Sequence, residues 1–508
     1  MKRTIKKVLL IVPPVTVTPD KRNFNVNFPT GIAYIAASLE KHGYDVKVLD
    51  AVAEDYENQV LIDGRTPMLQ IGMAFESIAD HVRSLSPDVV GISGMFSFQR
   101  VNYHKLAKTV KDVDKNIIVI MGGAHPTADP DEAMSDSNFD YLVIGEGENT
   151  ITGLLSKLST DEDLSTLEGI AYRDSGNAVR INRGTSFLDV DKLPRPARHL
   201  FPIEKYFSFG QRHGASVGRV FRSLPILTSR GCPFRCCFCS AYQMFGHKYR
   251  YRDPDEVLDE IDELVKVYRV EDIYLNDDQF LANKERAVKI LDGIIARNYG
   301  ITFDAPNGLS PWMMDEEIII KLKKAGFSNI FIAIESGNQW VLDNIINKPV
   351  KLDDIPAKVE MLRKYGLKVS AALVIGCFSE KHVETFPQMQ DSFDYVEKLD
   401  VDELTVSVLT PHAGSSAYDI GRKRGLIDDK YVDDGYDKSH ISTKLWTCDD
   451  INRFAIIEKI IFYRRKSFLV KYFLKPFLRI MRGYCVNQRY SLLYFIYGIV
   501  RTIKRRRL

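Results

Sequence analysis

The chain has 508 residues, of which 45% are hydrophobic and 27% charged, with seven cysteines and a formal net charge of +2. This composition is ordinary for a soluble globular protein and predicts two to four domains. No apolar run approaches the roughly 20 residues that a membrane-spanning helix needs, and the cysteines lack the spacing of a disulfide framework. We therefore expect a cytoplasmic location and interpret Met1–Val12 as a first β-strand rather than a signal peptide.

From residue 1 to about 150, short β-branched runs alternate with helical patterns. Between the first two runs, apolar residues from Ile32 to Leu39 recur at helical spacing, and Gly43 ends that helix. The predicted strands are Val8–Val12, Val46–Leu49, Val89–Ser93, Ile117–Met121 and Tyr141–Ile144. Repeated βα units predict a doubly wound, Rossmann-like parallel sheet, with ligands at the carboxyl ends of its strands.

Small and polar residues follow three of these strands. Glycines at such positions let the backbone approach a large flat ligand closely. The residues that we predict to contact a cofactor here are Ser93, Gly94, Gly122, Gly123, His125, Gly145, Glu146 and Gly147. The pattern alone fits any nucleotide or flavin fold, but it is not a dinucleotide fingerprint, because Thr150 stands where the third glycine would be.

Residues 168–182 predict a β-hairpin with its turn at Asp174–Asn177. The proline-punctuated stretch 193–198 follows, and we place a domain boundary there. The resulting division is residues 1–195 for the cofactor-binding domain with its hairpin and linker, 196–425 for a central module, and 426–508 for a helical C-terminal region.

Four of the seven cysteines fall within residues 231–239. Cys232, Cys236 and Cys239 form a C-x3-C-x2-C pattern, which lets one loop direct three thiolates at one point. A structural zinc site or an electron-transfer cluster uses four protein ligands, whereas three leave one iron of a 4Fe–4S cluster open. A zinc knuckle with a remote fourth ligand, or buried thiols, are the alternatives. Cys237 has no role in the pattern.

The βα pattern then repeats through the central module. Asp253 and Pro254 predict a helix start. The predicted strands are Ile226–Thr228, Asp272–Asn276, Ile301–Phe303, Ile330–Ile334, Val369–Ile375 and Glu403–Leu409. Polar or small residues follow them, as expected of a site at the carboxyl ends of the strands.

The cysteine pattern, with Phe238 before the last cysteine, resembles the signature of the radical S-adenosylmethionine (radical SAM) enzymes. The resemblance implies a partial (β/α)6 TIM-like barrel and a 4Fe–4S cluster whose free iron binds SAM. The cluster ligands that it implies are Cys232, Cys236 and Cys239. The SAM contacts that it implies are Asp277 or Asp278, Glu335 and Gly376. An acid opposite the SAM ammonium is physically reasonable.

The N-terminal stretch is similar to the cobalamin-binding domain found in the same superfamily. The matching pieces are Pro13-Pro14, Pro29-Thr30-Gly31, residues 122–127 and residues 145–148. No D-x-H-x-x-G motif supplies a lower-axial histidine, and many cobalamin-dependent radical SAM enzymes also lack it. His125 is either a corrin contact or a loop histidine that shapes its turn.

Together these motifs resemble the cobalamin-binding radical SAM family, which includes cobalamin-dependent methyltransferases and anaerobic magnesium-protoporphyrin ester cyclases. The resemblance implies methylation of an unactivated carbon through a 5′-deoxyadenosyl radical, with cobalamin as methyl carrier. It also implies a small-molecule or lipid substrate and a low-potential electron donor. An oxidative cyclase without methyl transfer and a non-catalytic cobalamin sensor are the alternatives. The motifs assign no catalytic residue.

Residues 459–508 contain 14 Lys and Arg and no Asp or Glu, whereas the preceding residues carry 55 basic and 67 acidic residues, a net charge of −12. Apolar residues between 468 and 480 alternate with this basic charge. The pattern favours contact with the inner face of a membrane and a lipid or terpenoid substrate. A helical cap on the barrel is the alternative, and nucleic acid is a weaker one.

Overall fold

The computed structural model describes residues 4–21, 25–62, 67–184, 187–209, 222–428 and 440–464. The strands are β1 (Lys7–Val12), β2 (Val15–Val17), β3 (Asp45–Asp50), β4 (Gln59–Ile62), β5 (Met68–Ile71), β6 (Val89–Ser93), β7 (Ile118–Gly122), β8 (Tyr141–Val143), β9 (Ile170–Arg173), β10 (Val179–Asn182), β11 (Ser223–Ile226), β12 (Ser229–Arg230), β13 (Arg250–Tyr251), β14 (Asp272–Leu275), β15 (Thr302–Asp304), β16 (Asn329–Glu335), β17 (Lys368–Ile375) and β18 (Glu403–Val408). The α-helices are α1 (Thr30–Lys41), α2 (Ala51–Glu54), α3 (Phe75–Leu85), α4 (Arg100–Val113), α5 (Ala124–Ala128), α6 (Pro130–Met134), α7 (Glu148–Thr160), α8 (Ile203–Phe209), α9 (Ala241–Phe245), α10 (Pro254–Lys266), α11 (Lys284–Arg297), α12 (Glu316–Ala325), α13 (Gln339–Val341), α14 (Ile355–Lys364), α15 (Phe386–Lys398), α16 (Ser416–Lys423) and α17 (Cys448–Tyr463). A π-helical turn spans Leu342–Ile346.

A seven-stranded sheet in the order β3-β1-β6-β7-β8-β9-β10 forms the N-terminal region. Its first five members in that order are parallel, and β9 and β10 add the predicted hairpin in antiparallel fashion. The strand order reverses between β1 and β6, where a doubly wound sheet opens a crevice for ligands. The predicted fold class is confirmed, and the five predicted parallel strands match within one residue at each end.

Helices cover both faces of this sheet. The apolar side chains of β1 point alternately to the two faces and therefore need cover on both. Val8 and Leu10 point into the core that contains α1 and α7, whereas Leu9 and Ile11 point into the core under α3 and α4. Because strand side chains alternate between the faces, a continuous apolar run is what a strand covered on both sides needs. The core under α1 and α7 continues into the central module, so the two regions share one hydrophobic interior.

The central module contains two three-stranded parallel sheets, β11-β14-β15 and β16-β17-β18. A parallel bridge between Phe303 and Phe327 joins them, so six parallel strands follow one another as the predicted partial barrel requires. The first strand begins and ends earlier than predicted. Thr228 donates its amide to the Asp277 carboxylate instead of a strand ladder, and the next two residues pair with β13 in antiparallel fashion.

The described part of the C-terminal region packs on the barrel. Helix α17 contacts β18 and α15, and it buries Ile451 and Phe454. Its start is fixed by reciprocal hydrogen bonds between Thr447 and Asp450. The apolar and basic segment predicted between residues 468 and 480 lies outside the described residues. Within the described ranges, no helix is long and apolar enough to cross a bilayer.

Candidate active site

The three cysteines of the predicted motif lie in one loop that closes on itself. Strands β12 and β13 pair Ser229 with Tyr251 and Arg230 with Arg250, so residues 231–249 form a loop with a two-residue neck. Gly231 has φ +90°, and a Cβ there would lie 2.3 Å from the Lys248 carbonyl oxygen. Only glycine fits both constraints. The neck therefore fixes where the cysteine loop leaves the barrel.

Cys232, Cys236 and Cys239 are free thiols of intermediate exposure. Burial raises the pKa of Cys236 to about 12 and that of Cys239 to about 11, and the nearby Cys232 thiol raises both further. Lys348 acts in the opposite direction on all three thiols. A bound metal centre would hold such thiols as thiolates, with release of their protons.

Among the residues that the structure describes, no group of three or more His, Cys, Asp and Glu side chains is placed to hold a metal ion. The C-x3-C-x2-C spacing is therefore what points to a 4Fe–4S cluster here, and the role of the three thiols as its ligands stays a prediction. The remaining cysteine of the loop, Cys237, is buried, and its amide donates to Ile346. This amide contact anchors the loop to the π-helical turn that ends at Ile346.

The two aspartates that follow β14 have different surroundings. Asp277 is buried and accepts hydrogen bonds from the Thr228 amide at 2.7 Å and from the hydroxyls of Thr228 and Ser229 at 2.5 and 2.6 Å. Asp278 accepts from the Gly231 amide at 3.2 Å and is half-buried. Burial raises the pKa of Asp278 to about 6. Of the two, Asp278 is therefore the better candidate for an ammonium group, and Asp277 supports the end of β11.

Glu335, at the end of β16, pairs with a cation that the sequence did not reveal. Its Oε1 lies 2.7 Å from Nζ of Lys348, and the side chains are only 9% and 8% exposed. Burial alone would lower the pKa of Lys348, but the charges of Glu335 and Cys236 raise it above its ordinary value. Glu335 also has φ +68°, a strained conformation for a residue with a side chain, of the kind found at functional sites.

Gly376 ends β17 and faces the C-terminal helix. Its φ is +77°, and a Cβ there would meet the Cδ1 atom of Ile451 at 2.2 Å. The buried Glu384 carboxylate accepts hydrogen bonds from the amides of Gly376 and Cys377, and burial raises its pKa to about 8. The glycine is thus needed for the packing of α17, and its predicted contact with SAM stays a prediction.

The predicted cobalamin contacts lie together at the carboxyl ends of β6, β7 and β8, next to the crevice. The backbones of Gly94 and Gly123 are in close contact (interlocked), because a Cβ on Gly123 would lie 2.5 Å from the Gly94 carbonyl oxygen. Gly145 differs from them: it has φ +76° and nothing within 4 Å of an added Cβ. The other residues of this group are Ser93 and Gly122, which are partly exposed, and Gly147, whose added Cβ would crowd Ile35.

Two of the predicted cofactor contacts, His125 and Glu146, have side chains that contact other protein groups. His125 is buried, with Nδ1 3.2 Å from the Ser97 hydroxyl and Nε2 3.0 Å from a Glu132 oxygen in a geometry unsuited to a hydrogen bond. Its position favours the interpretation as a loop histidine. The Glu146 side chain accepts hydrogen bonds from Arg230, Arg250 and the Leu188 amide, and its predicted contact with a cofactor stays a prediction.

Three segments from distant parts of the chain meet at Gly414, in the turn that follows β18. A Cβ on Gly414 would lie 3.1 Å from Ala128, at the end of α5, and 3.1 Å from Gln243, four residues after the last motif cysteine. A cavity of about 590 Å³ opens beside this contact. Its lining residues are Ala128, Asp129, Arg183, Gln243, Ala413, Gly414, Tyr418, Asp419 and Arg422. The mostly polar lining belongs to the N-terminal sheet, the cysteine loop and the barrel end together.

Comparison with known proteins gives two domain matches in this order. A model described as the B12 binding domain matches residues 25–155, and one described as the Radical SAM superfamily matches residues 226–389. Cytidylyl-2-hydroxyethylphosphonate methyltransferase of Streptomyces wedmorensis is 30% identical over 454 residues, which cover 84% of this chain and 83% of the relative. Anaerobic magnesium-protoporphyrin IX monomethyl ester cyclase of Rubrivivax gelatinosus is 24% identical, over 89% of this chain and 76% of the relative.

The fold has solved counterparts. The cobalamin-dependent S-adenosylmethionine radical enzyme OxsB, solved with aqua-cobalamin and S-adenosylmethionine bound, superposes with a TM-score of 0.69 at 17% identity. The match covers 94% of this chain and 71% of OxsB. The sequence match to the Streptomyces enzyme over most of both chains, together with the two domain matches, shows that this chain belongs to the cobalamin-binding radical SAM enzyme family.

Proposed function

We propose that this protein is a cobalamin-dependent radical SAM methyltransferase that methylates an unactivated carbon of a small molecule. The observation that carries the proposal is the contact at Gly414, where the cysteine loop, the barrel end and the turn after β7 meet around one cavity. The family's 4Fe–4S cluster, SAM and cobalamin would supply the radical and the methyl group when bound. An electron donor of low potential is the further partner that this chemistry requires.

The chain's own residues would bind and orient these groups. Cys232, Cys236 and Cys239 would hold the cluster. Lys348, whose Nζ lies 2.7 Å from Oε1 of Glu335, would offset part of their negative charge. Asp278 would accept a hydrogen bond from the SAM ammonium, since it is half-buried beside the neck of the loop. Gly145 would let the backbone approach the corrin.

A cyclase without methyl transfer is the second candidate, because the Rubrivivax relative covers most of the chain. The two functions predict different products. A methyltransferase adds the mass of one methylene to its substrate, whereas an oxidative cyclase removes hydrogen. The mass of the product therefore distinguishes them.

For the substrate we propose a lipid or terpenoid whose polar end occupies the cavity. The support comes from two regions with different chemistry. Residues 459–508 combine 14 Lys and Arg with apolar residues, as expected of a segment that binds an anionic membrane surface. The cavity instead has charged residues such as Arg183 and Asp419 in its lining, which suits a head group. Co-sedimentation with anionic but not zwitterionic vesicles is the expected result, and loss of it on truncation after Tyr463 would assign it to the segment.

The proposal is tested by anaerobic reconstitution with iron, sulfide and cobalamin, followed by SAM and a low-potential reductant. We expect 5′-deoxyadenosine and stoichiometric cobalamin, and transfer of label from methyl-labelled SAM to a lipid extract. Intact SAM in the presence of the extract would favour the cobalamin sensor instead. A wild-type protein that assembles no cluster would refute the proposal.

A further inference from the structure

The neck of the cysteine loop carries an unfavourable pair of charges. Arg230 and Arg250 stand directly opposite each other on β12 and β13, and like charges in that position destabilise an antiparallel pair. Both side chains are shielded from water, at 4% and 10% exposure. Each guanidinium therefore needs an anion within the protein for the neck to close.

Both anions come from the turn that follows β8 in the N-terminal sheet. Oε1 of Glu146 accepts from Arg230 at 2.9 Å, and Oε2 accepts from Arg250 at 2.8 Å. Oε1 of Glu148 lies 2.5 Å from the second terminal nitrogen of Arg230. Two carboxylates thus neutralise two guanidiniums. We refer to Glu146, Glu148, Arg230 and Arg250 as the clamp.

The same turn also borders the proposed cobalamin site. Gly145, one residue before Glu146, has nothing within 4 Å of an added Cβ. The ring of Tyr34, on α1 of the N-terminal region, lies 5.3 Å from the Arg230 guanidinium. The turn therefore offers its backbone at the strand ends while its carboxylates contact the cysteine loop.

We propose that Arg230 and Arg250 are positioning residues that, through the clamp, fix the cluster-binding loop relative to the cobalamin-binding strand ends. The distance between the two metal centres would follow from this contact. A buried ion pair adds little net stability, but loss of one partner leaves an uncompensated buried charge. Any placement of the loop that separates the guanidiniums from the carboxylates is therefore unfavourable, and the clamp favours the one placement that keeps them paired. The inference rests on the proposed function only in requiring that both cofactors bind.

The test is the distance between the two paramagnetic centres in the holoenzyme, measured by pulsed dipolar electron paramagnetic resonance on cob(II)alamin and the reduced cluster. Arg230→Gln is expected to shift and broaden the distance distribution while iron and cobalamin contents stay at the wild-type level. The matched control is Arg252→Gln. Arg252 is also buried and paired, but its partner Glu260 lies on α10 of the barrel, so this variant should keep the wild-type distance.

An unchanged distance distribution in fully loaded Arg230→Gln protein would overturn the proposal. Should that variant fail to fold, Glu148→Leu removes one anion from the N-terminal side with little change in volume, and an unchanged distribution there has the same meaning. If wild-type protein takes up no cobalamin, the proposed function fails. The clamp is then tested by hydrogen exchange in cofactor-free protein, where faster exchange of both 145–148 and 229–231 in Arg230→Gln supports it and unchanged exchange overturns it.

Discussion

At the end of the N-terminal sheet, both oxygens of Glu146 are bound by guanidinium groups, whereas at the end of the barrel Asp278 accepts a hydrogen bond from the amide of Gly231. Both acids follow a parallel strand in a glycine-containing or acidic turn, and both were predicted to contact a cofactor. The difference lies in the partners that the fold provides. A polar residue at a strand end takes a ligand only where the protein leaves its hydrogen-bonding capacity unused.

Among variants at the two strand ends, the largest expected effect is the loss of cluster assembly on substitution of the loop cysteines. Replacement of Cys232, Cys236 or Cys239 by alanine should abolish cluster assembly, because a 4Fe–4S cluster held by two thiolates lacks an iron ligand. Cys237→Ala is the matched control, since Cys237 is buried in the same loop and its contact with Ile346 is made by the backbone amide, which the substitution keeps. Iron content and the visible absorption of the reconstituted protein measure the outcome. Full iron in any of the three motif variants would contradict the assignment.

The buried pair of Glu335 and Lys348 should be the next most sensitive position. Lys348→Met leaves the Glu335 carboxylate buried without its cation, which costs about 3–5 kcal/mol for a buried pair. Urea unfolding of the cofactor-free protein measures this loss. The control is Lys364→Met, whose ion pair with Glu316 is exposed and is expected to change stability by about 1 kcal/mol or less. An equal loss of unfolding free energy in the two variants would show that Glu335 does not depend on Lys348 for neutralisation of its charge.

The interlocked and open glycines offer a direct contrast within the N-terminal sheet. Gly123→Ala places a methyl group 2.5 Å from a backbone oxygen and should cost more than ~2 kcal/mol, whereas Gly145→Ala meets no atom and should cost only the left-handed strain of about 1–2 kcal/mol. The amount of cobalamin bound per folded molecule should follow the opposite order, so that Gly145→Ala loses more cobalamin than Gly123→Ala. Wild-type cobalamin content in Gly145→Ala would remove Gly145 from the proposed site.

Much of this fold could be predicted because buried parallel strands are apolar on both faces, which makes runs such as Val89–Ser93 conspicuous. The first barrel strand was misplaced because Thr228 hydrogen-bonds to Asp277, which lies 49 residues away. The three cysteines could be predicted to share one loop because their motif is local. Arg230 was missed because its partner Glu146 is 84 residues away, and Lys348 because nothing in its neighbourhood distinguishes it from a surface lysine until the fold buries it.

The last prediction concerns the pH dependence of stability at Glu384, whose carboxylate accepts hydrogen bonds from the amides of Gly376 and Cys377. Burial raises its pKa to about 8 in the folded protein, against about 4.3 for an exposed glutamate. Between these values the folded state binds a proton that the unfolded state has released, so this group makes stability fall as pH rises from about 4.3 to 8. Glu384→Gln keeps the shape but cannot ionise. The difference in unfolding free energy between wild type and Glu384→Gln should therefore change with pH in this window. Above the window it should level off, because Glu384 is then ionised in both the folded and the unfolded state. A difference that is constant throughout would show that Glu384 ionises normally.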